Sequence, residues 1–154
     1  MKPAVRILTA PPVLFLVCLT TGLLLQRARP LDIDGHSFLV GMATGCAALL
    51  LAVGLAAWGI LELKRQATPI EPGSTPTRLV STGPYRFSRN PLYVALLLVH
   101  AGIAAMTGSW WLVMGTVALF GMLDRVVVVR EEAVIRQTFG AEYAAYRSRV
   151  RRWL

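Results

Sequence analysis

Apolar residues fall into three long uncharged runs: Ile7 to Gln26 with 20 residues, Ser37 to Leu61 with 25, and Asn90 to Leu123 with 34. A membrane crossing takes about 20 consecutive apolar residues. The first two runs therefore predict one span each, and the third predicts two short helices that turn near Gly108-Ser109. The expectation is an all-α integral membrane protein with about four transmembrane helices, over residues 11–26, 38–61, 91–107 and 110–129. A cytoplasmic loop over 62–90 and a C-terminal amphipathic, interfacial segment over 141–154 complete a single domain spanning 1–154.

Local signals sharpen these elements. Pro11-Pro12 can open a helix but not sit within one. Gly41-Met-Ala-Thr-Gly45, extended by Gly54 and Gly59, predicts close helix packing in lipid, within the chain rather than in a dimer. Pro69, Pro72, Gly73 and Pro76 mark a loop. Asn90 before Pro91 reads as an N-cap followed by the first helical residue. Such a helix end, flanked by Arg86 and Arg89, suits a carboxylate or phosphate. Trp110-Trp111 marks the far interface, and Gly140 reads as a C-cap. The first loop, Arg27 to His36, reads as a short external turn.

Composition agrees with a membrane protein: 55% of residues are hydrophobic and the mean hydropathy is +0.57. The net charge of +8 would point to nucleic acid in a soluble chain, but here its distribution points to topology. With both termini and the middle segment cytoplasmic, 14 of 16 Lys and Arg residues lie inside; Arg27 and Arg29 do not. No small-residue cleavage pattern follows the first run, so it is read as a retained span. Cys18 and Cys46 lie in spans, His36 and His100 are isolated, and no metal-ligand spacing or disulfide framework is present.

The chemistry-bearing residues gather late in the chain. One face of the third span carries Asn90, Tyr93, Leu97, His100 and Ala104; His100 is read as making an interhelical hydrogen bond. Asp124-Arg125 is read as a structural pair at the cytoplasmic boundary. Glu132 lies four residues before Arg136, which predicts a helical ion pair. Glu131 shares its face with Val127, Val128, Val134 and Ile135, which leaves its carboxylate in want of a ligand. Tyr143, Tyr146, Val150 and Trp153 form a stripe bordered by Arg147, Arg149, Arg151 and Arg152, the pattern of a basic helix lying on a membrane surface.

Two patterns stand together: Gly83-Pro-Tyr-Arg-Phe-Ser-Arg-Asn-Pro-Leu-Tyr93, and Glu131-Glu132 followed by Phe139-Gly-Ala-Glu-Tyr-Ala-Ala-Tyr146 and Arg149-Val-Arg-Arg-Trp153. This combination, over about Leu79 to Trp153, resembles the isoprenylcysteine carboxyl methyltransferase family and its bacterial relatives, which look like the phospholipid methyltransferases. The resemblance implies an integral membrane methyltransferase of the bacterial inner membrane that uses S-adenosylmethionine at the cytoplasmic face. Carried over by position, Gly83, Pro84, Tyr85, Arg89, Asn90, Tyr93, Glu131, Tyr143 and Tyr146 line the cofactor pocket. Arg89, Glu131 and Glu132 are the candidate catalytic residues. The acceptor implied is a lipophilic small molecule or lipid, with no nucleic acid and no metal as partner. The chain departs from the family where Asn90 stands in place of the usual His: amide contact survives, but a titrating imidazole does not. A sterol-reductase-like membrane enzyme using NADPH and a non-catalytic membrane assembly protein are the competing readings.

Overall fold

A computed structural model describes residues 10–68 and 77–154. The Pro69, Pro72, Gly73 and Pro76 loop lies outside the described residues, as do Lys2 and Arg6. Among the described residues the regular elements are all helical: α1 Pro11–Ala28, α2 Phe38–Arg65, a 3-10 turn Gly83–Arg86, α3 Pro91–Thr107, α4 Trp110–Met122, a π-helical turn Leu123–Val127 and α5 Val128–Arg149.

Among the described residues three stretches are long and apolar enough to cross a membrane: α1, α2 and the continuous Trp110–Arg149 segment. The shorter α3, at 17 residues, packs along α2 and α4. Large apolar side chains face outward, among them Leu24, Leu39, Leu50 and Val117, each about two-thirds exposed or more. A surface of this kind is stable against lipid rather than water.

Small residues set the bundle's closest approach. A Cβ on Gly45 would lie 2.7 Å from the Gly102 carbonyl oxygen, and one on Gly41 would lie 2.6 Å from that of Ala105. The Gly-x-x-x-Gly stripe thus seats α2 directly on α3, as intramolecular packing requires. Gly54 has nothing within 4 Å and belongs to the outer face. Between α1, α3 and α4 the core is Cys18, Leu119, Leu123 and Val127, with Phe15, Tyr93 and Leu97 packed against it. His100 is fully buried there, its Nδ1 2.9 Å from Thr116 Oγ1, the expected interhelical hydrogen bond.

One end of the bundle is closed by backbone and side-chain contacts between its two turns. Asp32 and Ser109 form an antiparallel bridge; Ser109 Oγ donates to Gln26 (2.7 Å), and Trp111 Nε1 donates to the Arg29 carbonyl (2.8 Å). Gly108, at φ 61°, supplies the left-handed C-cap that allows the α3–α4 turn. Since both turns sit at this end, the start of α1, the end of α2, the start of α3 and the π turn lie at the other. The helices alternate in direction.

Several boundaries differ from those the sequence predicts. The second helix runs through Glu62 and Leu63 to Arg65 instead of stopping at Leu61, because both of those side chains are buried. Gly140 takes φ 45° and ψ −114°, yet the chain kinks there and resumes as helix to Arg149. The C-terminal segment is not simply laid on a surface: Tyr143, Tyr146 and Val150 form a buried cluster with Leu79, Ile135 and Phe139.

Candidate functional site

The polar residues converge at the end of the bundle opposite the two turns. Gly83, at φ 58°, opens the 3-10 turn, and Pro84 is buried beneath it. A Cβ at Gly83 would come within 3.0 Å of the Glu62 side chain, so a larger residue would collide with that carboxylate arm. Glu62 itself is buried and accepts the Thr82 hydroxyl at 2.5 Å.

Two aromatic hydroxyls tie the turn and α3 to α5. Tyr146 donates to the Tyr85 carbonyl oxygen at 2.6 Å, and Tyr93 donates to Glu131 Oε1 at 2.7 Å. Burial pushes the Tyr85 phenol well above its ordinary range, and Tyr146, Glu131 and Glu62 nearby push it further. Tyr146 is raised by burial in the same way. Tyr85, Tyr93, Tyr146 and Glu131 therefore form one largely buried group joined by phenolic hydrogen bonds.

Beside it lies a charge cluster. Glu132 Oε1 sits 2.7 Å from Arg89 Nη1 and 3.2 Å from Arg152 Nε, while its Oε2 accepts from Arg152 Nη2 at 2.8 Å. Arg152 also reaches Asp124 Oδ1 at 2.9 Å, where Trp153 Nε1 donates at 2.9 Å. Both acids hold the Arg152 guanidinium more firmly protonated than usual. Arg89 Nη1 further donates to the Tyr143 hydroxyl at 2.7 Å, and burial, followed by the Glu132 charge, raises the Tyr143 phenol. Arg89 Nε is buried and makes no hydrogen bond.

These contacts overturn three local expectations. Glu132 does not pair with Arg136 along the helix: it turns inward to two cations brought from far along the chain. Asn90 occupies the N-cap position, but its side chain does not cap α3; its amide donates to the Arg152 carbonyl at 2.9 Å. Nor is Arg89 wholly free for an anion at the helix end, since Glu132 holds its Nη1 and leaves Nε as the open donor, while Arg86 stacks 4.6 Å over the Phe87 ring. The C-terminal backbone is secured here as well, with Arg89 N–H donating to the Arg151 carbonyl and Ser88 Oγ to that of Arg152.

Arg152, Asp124 and Trp153 escaped the sequence reading as members of this site. One signal was present: Asp124 at a membrane boundary needs a cation, and adjacent residues on a helix point in different directions, so its neighbour Arg125 offers only an exposed contact. Arg125 Nε is 3.4 Å from Asp124 but is 85% exposed, so Arg152 is the substantive partner.

Residues 40–142 match the family described as phospholipid methyltransferase, a stretch that takes in α2, the turn, α3, α4 and Glu131. An uncharacterized protein of Haemophilus influenzae is 30% identical over 63 residues, 41% of this chain and 100% of that one. No solved structure matches the chain. With two-thirds of its length inside the family's pattern, and with its apolar helices and paired motifs in place, the chain belongs to the phospholipid methyltransferase family of membrane methyltransferases.

Proposed function

We propose that this protein transfers the methyl group of S-adenosylmethionine to a lipophilic or membrane-embedded acceptor at the cytoplasmic face of a bacterial inner membrane. The observation that carries the reading is the convergence of Glu131, Tyr93, Tyr85, Tyr146 and the Arg89–Tyr143 pair at one end of the bundle, largely within the family-matched residues.

The donor set fits that cofactor. A sulfonium and an ammonium call for a carboxylate and aromatic faces, and a carboxylate calls for a guanidinium donor. Glu131 and the four tyrosines supply the first kind of group, and the buried, unpartnered Nε of Arg89 supplies the second. Gly83 and Pro84 shape the turn that presents Tyr85. Asn90 has a different part: through the Arg152 carbonyl it ties the C-terminal segment over the site.

When bound, S-adenosylmethionine supplies a methyl group already activated on sulfur. The chain then has to position the acceptor and keep water out, which can provide most of the rate. Glu131, with a single phenol on Oε1, is the acid available to touch a ligand or to take a proton from a neutral acceptor. Glu132 is saturated by two guanidinium groups and positions Arg89 rather than acting on substrate.

Calorimetry on the detergent-solubilised protein should detect S-adenosylmethionine binding, and Glu131→Gln should weaken it at least about tenfold by removing a charge-assisted contact. Incubation with methyl-labelled cofactor and a membrane lipid extract should yield a labelled lipid. Folded protein that neither binds the cofactor nor labels any lipid would sink the proposal.

A further inference from the structure

Because Glu132 turns inward, Arg136 loses the partner that its spacing offers along the helix. Among the described residues the Arg136 side chain makes no hydrogen bond or ion pair, and neither does that of Arg147. Eleven residues of straight helix would set these two about 16 Å apart along the axis. The kink at Gly140 intervenes, and both arginines line a single open cleft of about 470 Å³ with Tyr143, Ala144 and Ser148.

We propose that this cleft binds the phosphate group of an anionic phospholipid headgroup between Arg136 and Arg147. Each guanidinium offers a planar fork of N–H donors that matches phosphate oxygens, and none of the lining residues is acidic. The Ser148 hydroxyl already donates to the Ala145 carbonyl at 2.9 Å, so the two arginines are the donors that recognise the anion. A lipid is favoured over free phosphate because α5 continues directly from a helix apolar enough to cross a membrane, at the end of the bundle where basic residues concentrate. Tyr143, 2% exposed, belongs both to the cleft and, through its bond from Arg89, to the charge cluster. The site thus adjoins the proposed methyl-transfer site without depending on a cofactor or an acceptor.

The test uses the full chain in phosphatidylcholine nanodiscs containing a small fraction of phosphatidylglycerol, with bound lipid counted by native mass spectrometry. R136Q/R147Q should lower phosphatidylglycerol occupancy at least about tenfold, the loss expected for charge-assisted hydrogen bonds. R149Q/R151Q removes the same charge outside the cleft and should lower it less than about twofold, as for screened surface charges. Equal losses in the two variants would overturn the proposal in favour of general surface attraction. Inorganic phosphate at matched ionic strength should fail to displace the lipid; displacement would make free phosphate the ligand and overturn the lipid assignment. Unchanged thermal unfolding of R136Q/R147Q excludes misfolding, and S-adenosylmethionine binding measured in parallel keeps a failure here separate from a failure of the proposed activity.

Discussion

Glu131 and Glu132 are neighbours in sequence but about 100° apart around a helix, and that angle divides their work. Glu131 meets the Tyr93 phenol within the aromatic group, whereas Glu132 meets Arg89 and Arg152. A buried ion pair is costly to break because the remaining charge stays desolvated. The Glu132 and Arg89 side chains are only 7% and 9% exposed. Glu132→Ala should therefore cost about 3–5 kcal/mol of stability, and Glu132→Ala combined with Arg89→Met should recover much of the loss. Denaturant titration of the detergent-solubilised variants measures both; a loss below about 0.5 kcal/mol, the range of ordinary surface changes, would show that the cluster does not hold this end together. The apolar setting of Glu131 was legible in the sequence, since its face carries Val127 and Val128. The partners of Glu132 were not, because a local i, i+4 rule offers Arg136 while the actual cations come from 43 residues before and 20 after. Asn90 shows the same limit: the N-cap position was readable, but the acceptor of its amide is a carbonyl 62 residues away.

At the scale of elements, periodicity and small-residue spacing carried most of the information. The beginnings of α1, α3 and α4 fall where Pro11, Pro91 and Trp110 place them, because prolines and interfacial tryptophans act locally. Close packing of α2 within the chain was also legible, since only glycine lets two backbones approach as Gly45 approaches Gly102; that α3 is its partner was not, because small-residue spacing marks a close-packing face without naming the helix that meets it. Gly45→Ala places a Cβ 2.7 Å from the Gly102 carbonyl oxygen. Backbone cannot rotate away as a flexible side chain can, so the helices must separate, at a cost of about 1–3 kcal/mol typical of overpacking. Gly54→Ala, with nothing within 4 Å, should be neutral or slightly stabilising through helix propensity. A thermal melt of the two variants in the same detergent compares them directly; equal melting temperatures would show that the stripe does not set the contact. Helix ends governed by tertiary burial were less readable. Gly140 signals a break in any local reading, yet packing of Tyr143, Tyr146 and Val150 on Leu79 and Phe139 carries the helix onward beyond the kink.

For the whole molecule, the sidedness of the bundle decides where the site faces. The loop after α1 and the α3–α4 turn are bonded to each other through Asp32, Ser109, Trp111 and Arg29, so they share one end. Glu62, the Gly83–Arg86 turn, Asp124 and α5 share the other. Basic residues follow this division: Arg27 and Arg29 belong to the first end, while Lys64, Arg65, Arg86, Arg89 and the arginines from Arg125 onward belong to the second. Positively charged segments are retained on the cytoplasmic side during insertion, so the second end, with the site, should face the cytoplasm. This arrangement requires the 17-residue α3 to return across the bilayer, although about 25 Å of helix is short for a hydrocarbon core of about 30 Å. Local thinning and its packing along α2 would make up the difference. Single cysteines introduced by Asp34→Cys, Lys64→Cys and Gln137→Cys, in a background with Cys18 and Cys46 replaced by Ala, test the arrangement in intact cells. An impermeant maleimide should label position 34 from outside and reach positions 64 and 137 only after the membrane is disrupted. External labelling at 64 and 137 with protection at 34 would invert the molecule and move the site to the opposite face. Labelling of 64 and 137 from opposite sides would mean that α3, α4 and α5 together make an odd number of crossings, and α3 would then be a helix lying within the bundle without returning through the membrane.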